Sequence, residues 1–341
     1  MSTVTNTEPE QKTIPMSPRR GRPGLSVMLE KYALAAMFIV LCLAFSTMSS
    51  TAETFPTLAN IKNVLGSESV IAIAALASIL PLTCGQFDLS VGAIIGLSSI
   101  VTASAAATHD LPVVVAVLAG VLAGAVVGAF NGWLVAYRGV NALIATLGTS
   151  TLVAGLISLY TDNQIISVGI PEGLTNLGSG DLLGIPRPVY AIVIVALFVY
   201  YLLRHTPYGR YLSSVGASPA SARLVGLNVP RMILSSFVLS GALSGIAGVL
   251  LLARAGTANP QVGPGFTLAA LSAAFLGATA IRPGTFNVPG TLLGVLFVAI
   301  SVNGLVLAGA ADWVEPTFNG AALLVAVTLS TAIARRRTGQ S

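Results

Sequence analysis

Charge is what this sequence lacks most. Only 9% of its 341 residues are Asp, Glu, Lys or Arg, whereas a soluble domain carries roughly 25%. A chain so poor in charge cannot cover a water-facing surface, and its mean hydropathy of +0.86 agrees. It reads as a polytopic membrane protein. Cysteine is nearly missing: Cys42 and Cys84 both fall in or beside apolar segments, which excludes a disulfide framework and a thiolate metal cluster. Both read as packing residues. The two histidines, His109 and His205, sit at predicted segment ends and read as interfacial or loop residues. Lysine occurs only as Lys12, Lys31 and Lys62, never in a Gly-rich Gly-Lys-Ser/Thr loop, so the chain has no Walker-type ATP site of its own. Neither a His-Glu-x-x-His pair nor a Gly-x-Ser-x-Gly elbow occurs, which leaves a membrane enzyme without a catalytic constellation.

What is present is apolar sequence in long runs. With about 20 apolar residues per crossing, roughly ten spans are predicted, at about 32–50, 66–84, 89–107, 112–136, 142–160, 188–204, 231–253, 267–281, 288–309 and 316–334. The expected fold is all-α, with 32–334 as the transmembrane domain. Residues 1–31 are polar and Pro-rich and predict a disordered cytoplasmic tail; 335–341 predict a short basic cytoplasmic tail. Arg19 and Arg20 can instead begin a twin-arginine export signal, although no soluble domain follows.

The net charge of +5 is not the footprint of nucleic-acid binding, because the basic residues are scattered at segment ends without interleaved aromatics. Topology explains them. With the N-terminus inside, the cytoplasmic side holds Lys12, Arg19, Arg20, Arg22, Lys31, Arg138, Arg204, Arg210, Arg223, Arg231, Arg282 and Arg335 to Arg337, and only Lys62, Arg187 and Arg254 lie outside. That asymmetry sets the orientation, both termini cytoplasmic.

Two further patterns lie within the spans. Gly120, Gly124, Gly128 and Gly132 form a stripe along the fourth, which lets another helix approach closely. Gly124 with Asn131-Gly132 also resembles Gly294 with Asn303-Gly304 in the ninth, an inverted internal repeat on this topology. Small-residue spacing alone can produce the same match. No carboxylate, histidine or lysine lies near the middle of a span, Asp88 being the one exception, which disfavours a proton- or sodium-coupled carrier. If the chain pumps, another subunit hydrolyses the nucleotide.

One stretch, YGRYLSSVGASPASARLVGLNVPRMI at 208–233, interrupts the apolar pattern and shows no continuous hydrophobic face. Connections in bundles usually run about 2–8 residues, and this one is far longer. Ser218 can cap a short helix with Pro219 in its first turn, ended by Gly226, which would expose small residues and Arg223 to a partner. An ordinary positive-inside connector is the competing reading.

Four blocks carry a resemblance to the permease subunits of ribose-type sugar ABC importers. Cys84-Gly85-Gln86-Phe87-Asp88-Leu89-Ser90-Val91-Gly92 is similar to that family's Thr-Gly-Gly-Ile-Asp-Leu-Ser-Val-Gly. Pro81 and Gly85 can break a helix there, while Asp88 and Ser90 can satisfy freed backbone donors, cap the next helix, or line or gate a pathway. Asn141-Ala142-Leu143-Ile144-Ala145-Thr146-Leu147-Gly148-Thr149 is similar to its Pro-Phe-Ile-Ala-Thr-Leu-Gly-Thr. Thr146 and Thr149 share a helical face, suited to a polar passage or to packing with Ala145 and Gly148. Tyr208-Gly209-Arg210-Tyr211 and Ala220-Ser221-Ala222-Arg223-Leu224-Val225-Gly226-Leu227-Asn228 resemble its Phe-Gly-Arg-Tyr and Ala-Ala-Arg-Leu-Ser-Gly-Ile-Asn. Pro283-Gly284-Thr285-Phe286-Asn287, between Gly277-Ala278-Thr279 and Gly290-Thr291-Leu292-Leu293-Gly294, resembles one branch of the family and reads as a sharp turn.

The resemblance implies a type II ABC importer permease in the bacterial inner membrane, moving a pentose or hexose by alternating access. It implies a pair of permeases, as homodimer or heterodimer, joined to ABC ATPase subunits that bind ATP and Mg, with a periplasmic or lipid-anchored sugar-binding protein outside. Coupling to the ATPase would run through Gly209, Arg210, Ser221, Ala222, Arg223 and Gly226. Asp88, Ser90, Asn141, Thr146 and Thr149 are the candidates for pathway or gating. The segment at about 161–187, with Asp162, Glu172 and Asp181, would face the binding protein. The alternatives are an importer for branched-chain amino acids or another small polar solute, and a uniporter or channel that works alone.

Overall fold

The computed structural model describes residues 25–311 and 313–338. The basic cluster Arg19, Arg20 and Arg22 and the end at 339–341 lie outside them. α1 runs Leu25–Thr47 and α2 Leu58–Ser67, with Thr57 accepting from Asn60 N as its N-cap. The first of these begins inside the segment expected to be a tail. α3 (Ser69–Thr83) continues α2 after a bend of 41° at Glu68. Residues 86–90 are non-helical, and α4 (Val91–Ala103) follows, ending in a π-helical turn, Ser104–Thr108. α5 (Val113–Arg138) and α6 (Ala142–Thr161) form a hairpin.

The segment after α6 is folded rather than a plain loop. It holds α7 (Glu172–Ser179), whose Leu174 is fully buried, and a two-stranded hairpin, β1 (Asp181–Leu182) antiparallel to β2 (Ile185–Pro186). α8 is Arg187–His205, α9 Pro207–Ala217, α10 Pro219–Leu224 and α11 Val229–Ala255. α12 (Gly263–Ala278), α13 (Val288–Leu307) and α14 (Val314–Thr338) follow, and Arg335 to Arg337 fall within the last of them.

Among the described residues six helices are long and apolar enough to cross a membrane, and the bent α2–α3 pair makes a seventh if it is counted as one span. Lys31–Thr47, Gly263–Ala278 and Val314–Thr328 are shorter apolar helices; together these account for the ten apolar segments expected. A helix apolar all round belongs in the interior, and α3 does: Val70 to Leu82 are buried except Ile71. Around it lie α4, α8, α11, α12 and α13. The glycine stripe is a packing seam. A Cβ at Gly128 would overlap the Phe237 carbonyl of α11, and one at Gly241 would stand 3.0 Å from the Gly128 Cα. The two backbones therefore touch, as small-xxx-small faces allow.

The two ends of the bundle differ in chemistry. Lys62 Nζ pairs with Asp181 at 2.7 Å, Arg187 Nη1 donates to Asn176 O at 2.7 Å, and Arg254 Nη2 donates to Ser67 Oγ at 3.3 Å. All three residues assigned to the outer side thus share one end with the 161–187 segment. At the other end Ile281 N donates to Lys31 O at 3.0 Å, and Arg204, Arg210 and Arg282 line a common pocket.

Candidate functional site

The break between α3 and α4 frees backbone groups inside the bundle, and each must find a partner where water is scarce. Pro81 lies in the last turn of α3, and Gly85 follows at φ +76, a conformation costly for any residue with a Cβ. Gln86 N donates back to Pro81 O at 2.9 Å. Two further donors go to side chains from distant helices. Leu89 N donates to Thr146 Oγ1 of α6 at 3.0 Å, and Gly92 N to Thr267 Oγ1 of α12 at 3.0 Å.

Asp88 organises the centre of this break. It is 1% exposed; its Oδ1 accepts from Ser90 N at 3.0 Å and Ser90 Oγ at 2.6 Å, and its Oδ2 from Ser240 Oγ of α11 at 3.1 Å. Asn131 of α5 donates from Nδ2 to Ser90 Oγ at 2.8 Å, and its Oδ1 is buried without a partner. A buried carboxylate is tolerated when hydrogen bonds replace its hydration. Four helices, α5, α6, α11 and α12, are therefore fastened to one irregular segment.

The structure sorts the sequence candidates. Asp88, Ser90 and Thr146 meet in this network. Ser90 precedes α4 but makes no side-chain cap; its hydroxyl is already committed to Asp88 and Asn131. Asn141 lies apart from this network, exposed, with Oδ1 accepting from Leu143 N at 2.9 Å as the N-cap of α6. Thr149 is buried on the face of Ala145 and Thr146. Gly148 is exposed with open space around it, so the packing use expected of it is not made within this chain. Asn131, Ser240 and Thr267 were not among the sequence candidates; their signal is no more than a polar residue within an apolar helix, which Ser235, Ser236, Ser244 and Ser272 share.

Against this break lies the long connection. Its expected short helix exists as α10, with Ser218 Oγ accepting from Ser221 N at 3.2 Å, Pro219 in the first turn and Gly226 after it at φ +84. The sequence expectation of no hydrophobic face is corrected: α9 buries Gly209, Leu212 and Val215, three residues apart, against Cys84, Ala142, Ile233 and Phe237. Tyr208 O–H meets Ser235 Oγ of α11 at 3.0 Å, and burial pushes its hydroxyl up to about 12, so it stays protonated at any working pH. Gly209 and Ala222 also face inward: a Cβ at Gly209 would overlap the Leu203 carbonyl of α8, and Ala222 is 3% exposed. They hold the loop to the body. The outward surface is Arg210, Ser221 and Arg223, joined by an apolar tip, Leu224 at 89% and Val225 at 75% exposure.

Contact between the two features is direct. Gly216 of α9 lies on the end of α3, where an added Cβ would overlap Thr83 O, and a Cβ at Gly85 would stand 3.4 Å from the Gly216 Cα. Beside this contact opens a pocket of about 700 Å³ lined by Thr83, Tyr200, Arg204, Arg210, Arg282 and Asn287, with no carboxylate among its lining residues. A surface helix, an apolar tip and a cationic pocket are thereby mounted on the segment that holds Asp88.

The sequence is matched by relatives of similar length. A family model described as the permease component of the branched-chain amino acid transport system matches residues 60–327. The chain is 34% identical to the ribose import permease protein RbsC of Escherichia coli strain K12 over 303 residues, covering 88% of this chain and 93% of that protein. It is 37% identical to the ribose import permease protein RbsC of Bacillus subtilis strain 168 over 79% of this chain and 84% of that one. With the L-arabinose ABC transporter permease protein AraH of Azospirillum brasilense it shares 32% identity, over 92% and 91% of the two chains. No solved structure matches it. A bundle of apolar helices, interrupted at Asp88 and matched over most of its length, belongs to the family of permease components of branched-chain amino acid transport systems.

Proposed function

We propose that this chain is the transmembrane permease subunit of an ATP-driven importer for a monosaccharide, a pentose or hexose, in a bacterial inner membrane with both termini cytoplasmic. The observation that carries this reading is the extent of similarity to permeases named for ribose and L-arabinose, above 30% identity over most of each chain. The geometry supports coupling. A separate ATPase, binding ATP and Mg, engages Arg210, Ser221, Arg223, Leu224 and Val225. Closure of the ATPase pair moves α9, and the Gly216 contact passes that movement to the break at Gly85 and so to the Asp88 network. A second permease copy completes the pathway, and a sugar-binding protein docks at the α7 and β1–β2 end. Coupling of this kind requires the two ends to prefer different states.

The test is uptake into proteoliposomes holding the permease, its ATPase and its binding protein. ATP-dependent accumulation of labelled ribose or arabinose, with leucine excluded, is the expected result. Accumulation of leucine in place of sugars would move the reading to a branched-chain amino acid importer. Sugar equilibration without ATPase would make the chain a uniporter.

A further inference from the structure

The pocket beside the Gly216 contact collects positive charge that the chain itself does not neutralise. Its three arginines come from separate elements: Arg204 from the last turn of α8, Arg210 from α9, and Arg282 from the turn between α12 and α13. Arginines elsewhere in the bundle are occupied. Arg138 lies over the Trp133 ring, Arg187 donates to Asn176 O and Arg254 to Ser67 Oγ. Among the described residues, no hydrogen bond or ion pair engages the guanidiniums of Arg204, Arg210 or Arg282, and no carboxylate lines their pocket. A second source of positive potential points the same way. α13, 20 residues long, begins at this pocket, where Asn287 and Val288 line it, and its first turn holds no acidic residue. The start of a helix carries about half a positive charge and free N–H groups, which together favour an anion.

The walls are not those of a simple ion site. Leu203 of α8, Ile281, Phe286 and Val288 give the pocket an apolar side, and Phe286 is held edge-on against Phe275 with ring centroids 5.3 Å apart. At about 700 Å³ it falls in the range of about 300–1,000 Å³ that takes an organic molecule rather than a bare ion. Arg204 stands three residues after Tyr201 and seven after Leu197, on one stripe of α8. Leu197 and Tyr201 are exposed, and in an apolar span that side meets lipid. The pocket therefore opens beside the lipid-facing surface, where the apolar run ends. Basic pockets between spans at that level suit the headgroups of anionic lipids, through charge-assisted hydrogen bonds to phosphate. We propose that Arg204, Arg210 and Arg282 bind the phosphate group of an anionic phospholipid, with its glycerol and first methylenes against Leu203 and Phe286. The bound lipid ties α8, α9 and the α12–α13 turn together, next to the place where α9 leans on the end of α3. This inference rests on the membrane-spanning fold and not on the choice of solute. Arg210 stands at the edge shared with the surface proposed for the ATPase, so Arg204 and Arg282 carry the test.

The test uses the full-length permease, delipidated in neutral detergent, with short-chain phosphatidylglycerol, short-chain phosphatidylcholine or inorganic phosphate as probe. Retained ligand is counted by native mass spectrometry, and the thermal midpoint is read alongside. Phosphatidylglycerol should be retained and should raise the midpoint, with phosphatidylcholine and phosphate far weaker. Arg282→Gln should weaken its binding about fivefold, and Arg204→Gln with Arg282→Gln about 30-fold. Arg231→Gln, at an exposed arginine outside the pocket, should leave it unchanged. Arg204 and Arg282 are exposed and hold no other element in place, so both variants should elute as the parent does in size-exclusion chromatography. Equal retention of the two lipids, or phosphatidylglycerol binding unaffected by the double variant, would overturn the site. Retention of inorganic phosphate equal to that of phosphatidylglycerol would assign the pocket to a free anion and overturn the lipid. Loss of ATPase recovery from the double variant with lipid retention unchanged would give the pocket to the partner instead.

Discussion

Asp88 holds three donors at once, two from Ser90 and one from Ser240, and single substitutions here have calculable effects. Asp88→Ala removes the acceptor and leaves buried donors unpaired, each costing about 1–3 kcal/mol. The variant should show a lower thermal midpoint in detergent and reduced uptake; an unchanged midpoint would mean that the carboxylate does not organise the break. Gly216→Val forces a side chain into the Thr83 carbonyl, an overpacking of about 1–3 kcal/mol. Coupled uptake should fall while the amount of protein in the membrane is preserved, measured by quantitative blotting beside transport. In the sequence Asp88 and Ser90 were visible as a polar pair in apolar surroundings, and Thr146 as a polar residue on a helical face. Their partners were not visible, because Ser240 is 152 residues from Asp88 and Thr267 is 175 from Gly92. No local pattern encodes such a meeting.

At the level of elements, α9 and α10 form one unit clamped to the bundle. The inward face of α9, at Gly209, Leu212 and Val215, holds it in place, and the outward side ends in Leu224 and Val225. Exposed apolar side chains beside arginines gain by being taken out of water against a partner. Replacing Leu224 and Val225 together by Asp should cost about 2 kcal/mol or more of ATPase binding, read as lost co-elution, with the permease's own thermal midpoint unchanged. The start and end of α10 were legible from Ser218, Pro219 and Gly226, whose chemistry is local. The amphipathic face of α9 escaped notice because one of its three buried positions is a glycine, recognisable as buried only once Leu203 of α8 lies against it. The seam between α5 and α11 was legible as a stripe. Gly128→Leu should separate those helices and destabilise the fold by several kcal/mol, as overpacking against backbone cannot be relieved by rotamer change; loss of the monodisperse peak in size-exclusion chromatography would register it.

For the whole molecule, the apolar runs made the bundle legible, since the bilayer dictates their length and spacing. The bend at Glu68 and the folded α7 and β1–β2 segment were not, since both depend on contacts that form only after the helices assemble. The charge distribution gave the two ends before any helix was placed: Lys62, Arg187 and Arg254 gather at one end, and Arg204, Arg210 and Arg282 at the other. The account of function rests on the second end receiving a separate ATPase. The most direct measurement is recovery of that ATPase with the tagged permease after co-expression, for the parent chain and for Arg210→Glu with Arg223→Glu. The account predicts a stable complex from the parent and its loss from the double variant, at equal permease levels in the membrane. Recovery of the ATPase in equal amounts from both, or a parent chain that purifies alone and moves sugar unaided, would contradict it.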